Sequence, residues 1–160
     1  MVLPFQNLRK KILGWMIVES VPILNLFRSS PPWPYSLEQL RYFPTGSWGK
    51  ELAAMLDSHK LGLLPKYETH DALHILLGYR TTVTGELRLQ AFMLGNRSAS
   101  NAGFILLFLG LIFLPESYSK IMMDFERGRQ ATRVAEWNIA GLLDNDLGFI
   151  ESRLNLSCHN

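Results

Sequence analysis

Residues that start and stop helices recur along this chain at helix-length intervals. The stretches between them lack the alternation of β-branched and polar residues that marks a strand. Ser36 suits the N-cap of a short helix that must stop before Pro44. A turn at Thr45, Gly46 and Ser47 opens a helix running to about His59, with Gly62 closing the region. Thr69 is placed to cap a helix ending at Gly78, and a short loop leads to another over about 84–94 that ends at Gly95 and Asn96. An apolar helix over 101–114 stops at Pro115, and helices over about 116–130, 132–144 and 147–156 follow. With an N-terminal helix over 12–27, the expectation is an all-α fold, an irregular bundle of about seven or eight helices.

The chain has 160 residues, 48% hydrophobic and 19% charged, which supports a packed core rather than disorder. The prolines of SSPPWPY, residues 29–35, forbid regular helix there. This divides an N-terminal amphipathic helix and Pro-rich linker, 1–35, from a helical domain, 36–160. Basic residues Arg9, Lys10 and Lys11 precede the apolar run 12–27. Glu19 and Pro22 interrupt that run, and no small-residue cleavage site follows, so it reads as neither a secretory signal nor a mitochondrial presequence. It reads instead as an amphipathic or core helix touching a membrane surface. The run 102–114 has 13 residues. As a helix it reaches only about 20 Å against a bilayer core of about 30 Å, so a buried helix or a lipid-facing wall is expected. The single cysteine, Cys158, permits no internal disulfide and no cysteine-based zinc site, which fits a reducing compartment such as the cytoplasm. The net charge is +2 and the basic residues are scattered, which excludes the concentrated stripe of a nucleic-acid binder.

The chemistry concentrates in HDALHILLGYRTTVTGE, residues 70–86. His70 and His74 are four apart and share a helix face, and Asp71 and His74 are three apart. Leu73 and Leu77 share the histidine side, while Ala72, Ile75 and Leu76 make the rest of the helix apolar, the mark of a buried element. Imidazoles and a carboxylate in such surroundings need partners, and one metal ion satisfies all of them. Gly78 and Gly85 allow the chain to reverse and bring Glu86 toward the histidines. Two imidazoles and two carboxylates suit zinc, and also iron or manganese. The alternative is a capped helix with Asp71 in its first turn favouring the helix dipole and His70 half-exposed near the cap. Gly85, next to Glu86, is expected to matter more for function than for stability, because a side chain there would crowd the backbone or the metal.

The pattern HD-x-x-H, eleven further residues and a glutamate resembles the signature of the Coq family named fourth in the ubiquinone pathway. Gly46-Ser47-Trp48-Gly49 before KELAAML resembles that family's upstream GS-x-G segment. Leu76-Leu77-Gly78, Thr82 and Gly85-Glu86 fit its core block; Arg127-Gly128-Arg129-Gln130-Ala131, with Trp137 beyond, resembles its RGR-x-A turn. The resemblance covers roughly residues 40–155; the first 35 residues match nothing in it.

It implies a divalent-metal protein, zinc foremost, with His70, Asp71, His74 and Glu86 as ligands and catalytic residues. The implied reaction is oxidative decarboxylation of a polyprenylated hydroxybenzoate, replacing the ring carboxylate with a hydroxyl. Arg80 is placed to meet an anionic group on the ring. The resemblance equally implies a non-catalytic scaffold that holds a prenylated quinone precursor or isoprenoid lipid and gathers other quinone-biosynthesis enzymes. Such a protein is expected in the cytoplasm or on the inner face of a membrane, as a peripheral protein or a homodimer. Gly103 and Gly110, seven apart on the apolar helix, are expected to leave a groove for the prenyl tail leading toward His70 and His74. Paired His-Asp also marks helical phosphohydrolases. Those need a further upstream histidine, for which His59 is the only nearby candidate, and a distant aspartate.

Overall fold

The computed structural model describes residues 5–27 and 31–155. Cys158 and the end of the 147–156 segment lie outside them. The described residues form eight α-helices and no strand. The chain is all-α, as the punctuation predicts. It divides into two compact units, one of Met1–Arg28 with Tyr79–Ala135 and the other of Ser29–Gly78 with Glu136–Asn160.

The first unit holds α1 (Gln6–Phe27), α5 (Val83–Gly95), α6 (Asn101–Phe113) and α7 (Tyr118–Gln130). Its core joins Leu13 of α1, Leu87 and Ala91 of α5, Leu107 of α6, Leu114, and Ile121 of α7. α1 starts earlier than its apolar run and continues through Pro22. α5 and α7 cross backbone to backbone: a Cβ on Gly95 would collide with the Phe125 carbonyl, and one on Gly128 with that of Phe92. α6 packs its glycines on side chains of α5. A Cβ on Gly110 would strike the Leu87 side chain, and one on Gly103 that of Gln90. At these two glycines the face of α6 is thus occupied by side chains of α5. The opposite face of α6 is bare: Phe104, Ile105, Phe108 and Ile112 are each more than half exposed.

The second unit holds α2 (Leu37–Arg41), α3 (Trp48–Ser58), α4 (Glu68–Leu77) and α8 (Leu147–Arg153). Ser36 caps α2 in a full capping box with Gln39, and Ser47 caps α3. Gly46 takes a left-handed φ of 81° to make the preceding turn. Trp48 is wholly buried, and its Nε1 donates to the Ala72 carbonyl of α4 at 2.8 Å. At the other end of α3 the left-handed residue is Lys60, at φ 55°, so the helix closes before the expected Gly62. α4 begins at Glu68 rather than after a Thr69 cap. The Leu64–Tyr67 turn, with Lys66 left-handed at φ 73°, delivers the chain at Tyr67, which caps without a side-chain bond.

The helix expected over 132–144 is replaced by 3-10 turns at Val134–Glu136 and Ala140–Leu142. Competing hydrogen bonds explain this. The buried Asn96 side chain donates to the carbonyls of Gly128, Ala131 and Thr132 and accepts from the Val134 N–H at 2.8 Å. Farther on, the carbonyls of Leu143 and Asn145 accept from Gly49 N at 2.7 Å and Trp48 N at 2.9 Å, and Leu147 N donates to Gly46. These bonds satisfy the open N–H groups at the start of α3, and they commit the 143–147 backbone elsewhere than a helix.

Candidate metal centre

α4 carries both histidines on one face. Trp48 supports it from α3, and Gly78 ends it in the left-handed conformation at φ 69°. His74 is buried, 2% exposed, and His70 is half-buried. Their Nε2 atoms lie 3.2 Å apart, the rings meeting edge to face with centroids at 4.9 Å. The Tyr67 ring, one turn earlier, meets His70 edge-on with centroids at 6.3 Å. Leu73 and Leu77 are buried alongside, as expected.

Glu86 stands in the first turn of α5. Thr82 caps this helix, its Oγ accepting from Gly85 N at 3.2 Å and its carbonyl from Glu86 N at 2.8 Å. Any Cβ at Gly85 would overlap the Arg80 carbonyl. The crowding that makes this glycine necessary is therefore with the backbone of the preceding turn. One donor atom from each of His70, His74 and Glu86 falls within 4.8 Å of the other two.

Among the described residues these three form the candidate group, and Asp71 stands outside it. Asp71 lies one residue, about 100° of helix rotation, from His70. It is half-buried in the first turn of α4, where with Glu68 it suits the helix dipole. Arg80 is exposed. His59 engages the Met55 carbonyl and Ser58 at the end of α3 and takes no part in the group.

The donor set fits a divalent ion. Donors about 2.1 Å from one ion at tetrahedral angles lie about 3.4 Å apart, close to the 3.2 Å between the two Nε2 atoms. Two imidazoles and one carboxylate suit zinc, iron or manganese and leave further coordination positions open.

A second polar cluster carries no signature in the sequence. Asp124 of α7, 3% exposed, accepts from the Tyr79 hydroxyl at 2.8 Å and from Arg88 Nε at 2.6 Å and Nη2 at 3.2 Å. Arg127 donates to the Tyr79 oxygen at 3.0 Å. Burial, and then the Asp124 charge, raise the Tyr79 pKa well above its ordinary value, while the hydrogen bond that Arg88 donates to Asp124 raises that of Arg88. The one available hint was an aspartate on the α7 stripe of Ile121, Asp124 and Gly128, where an apolar residue is the norm.

No protein-family model and no curated protein matches the chain. Among solved structures it is similar to a crystal structure from Nostoc punctiforme, that of a protein named as a candidate for ubiquinone biosynthesis. The TM-score is 0.67 at 23% identity, over 96% of this chain and 82% of that one. This likeness shows that the two share a fold.

Proposed function

We propose that this chain is a metal-dependent protein of ubiquinone or related prenylquinone biosynthesis, acting on a polyprenylated hydroxybenzoate. The observation that carries the reading is the convergence of His70, His74 and Glu86. The HD-x-x-H signature with its distant glutamate, and the fold shared with the Nostoc protein, support it. Asp71 is proposed as an outer residue or a fourth ligand reached on metal binding.

The reaction proposed is loss of the ring carboxylate as carbon dioxide with a hydroxyl taking its place. This is a two-electron oxidation; it balances with water supplying the hydroxyl oxygen and dioxygen taking the two electrons and two protons to leave as hydrogen peroxide. A bound divalent metal supplies a Lewis acid for the ring carboxylate or phenolate oxygen. The chain's own part is to hold two imidazoles and one carboxylate together, with His74 buried and Leu73 and Leu77 excluding water beside it.

The test is metal analysis of the purified chain beside His74→Ala, followed by aerobic incubation of the loaded protein with a prenylated hydroxybenzoate. Metal near one equivalent in the parent and none in the variant, with carbon dioxide released, is the expected result. Equal trace metal in both sinks the proposal.

A second reading, a lipid-holding scaffold, is favoured by the bare apolar face of α6 and by exposed Trp15, Val18 and Ile23 on α1. Among the described residues no single helix is long and apolar enough to cross a membrane. In this reading those faces meet an isoprenoid lipid or the surface of a membrane. Prenyl-lipid binding that survives Glu86→Gln, with no turnover by the parent protein, selects the scaffold.

A further inference from the structure

We propose that Asp124 is the positioning residue for Glu86, holding both ends of the segment that carries it. This rests on the metal-site reading above. The segment runs from Tyr79, directly after the end of α4, to Arg88, two residues past Glu86. At its start, the Tyr79 hydroxyl donates to Asp124 Oδ1 at 2.8 Å; at its end, Arg88 donates to Oδ2 at 2.6 Å and Oδ1 at 3.2 Å. A single buried carboxylate on α7 therefore fixes two points on either side of Glu86.

The geometry between those points leaves little freedom. Gly85 lets the first turn of α5 lie on the Arg80 carbonyl, and Thr82 caps that turn. The two-point bond to Arg88 sets the rotation of α5 about its axis, because a planar guanidinium meets a carboxylate in one orientation. Glu86 lies about 200° round the helix from Arg88, so fixing one face inward fixes the direction of the other. Arg127, three residues after Asp124, donates to the Tyr79 oxygen at 3.0 Å, so the phenol both gives and receives a bond. The Arg88 guanidinium also lies over the Tyr79 ring, 4.9 Å from its centroid.

Metal-ligand distances fall within about 0.2 Å of their ideal values, so the direction in which α5 presents the Glu86 carboxylate matters. Outer residues that orient ligands typically change metal affinity by about ten- to a hundredfold when removed. The competing account is that Asp124 merely stabilises its own unit. A stabilising role lowers the melting temperature without changing the metal's surroundings; a positioning role changes both.

The experiment uses the full chain. Zinc affinity is measured by competition with a chromophoric chelator, and the visible spectrum of the cobalt-substituted protein reports ligand geometry. Asp124→Asn is expected to weaken zinc binding by about ten- to a hundredfold and to alter the cobalt bands. Leu107→Ala, in the core of the same unit, is expected to lower the melting temperature while leaving both metal readouts unchanged. In a Glu86→Gln background, adding Asp124→Asn is expected to cause no further loss, because the aspartate acts through the glutamate. Where Asp124→Asn fails to fold, Tyr79→Phe releases one end alone and is expected to show the same pattern at smaller size. Parental affinity and spectrum in the variant, an equal loss in Leu107→Ala, or the full further loss in the Glu86→Gln background overturns the proposal. A parent protein that binds neither zinc nor cobalt overturns the metal-site reading itself, and this inference with it.

Discussion

At the scale of single residues, two positions show how closely chemistry and backbone are joined. Gly85 directly precedes Glu86, and the Arg80 carbonyl beneath it leaves no room for a side chain. Gly85→Val must displace the 79–82 turn, since backbone cannot yield as a flexible side chain can. The variant is expected to lose at least tenfold in zinc affinity and to melt at a lower temperature; calorimetric titration beside a thermal scan measures both. Tyr79 predicts a pH effect. Its folded pKa is raised above the ordinary value of 10.0, chiefly by burial. The unfolded chain therefore releases this proton first as pH rises, so the stability it contributes is present below about pH 10 and is lost above it. Tyr79→Phe is expected to flatten the fall in stability between about pH 10 and 11, as followed by denaturant unfolding. A slope identical to the parent's would show that the phenol does not titrate as described.

At the scale of elements, α6 changes meaning once its packing is visible. From sequence, an uncharged helix with glycines seven apart serves equally as the wall of a lipid groove or as a close-packing face. Leu87 and Gln90 fill that face. Gly110→Leu is therefore expected to act through stability, costing about 1–3 kcal/mol by overpacking. Binding of prenyl compounds and of the ring alone should fall together, to the extent that the protein unfolds. Preferential loss of long-chain binding would restore the groove. The Ser36 cap was legible because a cap is local, and its side chain accepts from Gln39 N; Thr69 offered the same local signal, but the turn before it starts α4 at Glu68, while Ser47 and Thr82 cap α3 and α5. Ser47→Ala is expected to cost about 1 kcal/mol.

At the scale of the whole molecule, metal binding and folding are linked. An ion that binds only the folded chain adds about 2.7 kcal/mol at a free concentration a hundred times its dissociation constant. For a chain of this size that corresponds to a rise of roughly 5–10 °C in melting temperature. The rise is expected in the parent protein and is expected to be absent in His74→Ala. Equal shifts in both would assign the binding to other residues.

The sequence by itself determined the helical class, most helix boundaries and the shared face of His70 and His74. These follow from short-range rules: caps, prolines, glycines and a period of 3.6 residues. The candidate site was legible to the same depth, since a spacing of four fixes a pair of imidazoles on any helix. Tertiary structure decided the rest. It left Asp71 outside the donor group through a single residue's rotation, and it filled the Gly103 and Gly110 face with α5. It replaced the helix at 132–144 because Asn96 and the open N–H groups of α3 claimed that backbone. It also gathered Tyr79, Arg88 and Asp124, as far as 45 residues apart, around one carboxylate. Each of these outcomes depends on which distant group reaches a hydrogen bond or a packing site first, and no local pattern in a sequence encodes that competition.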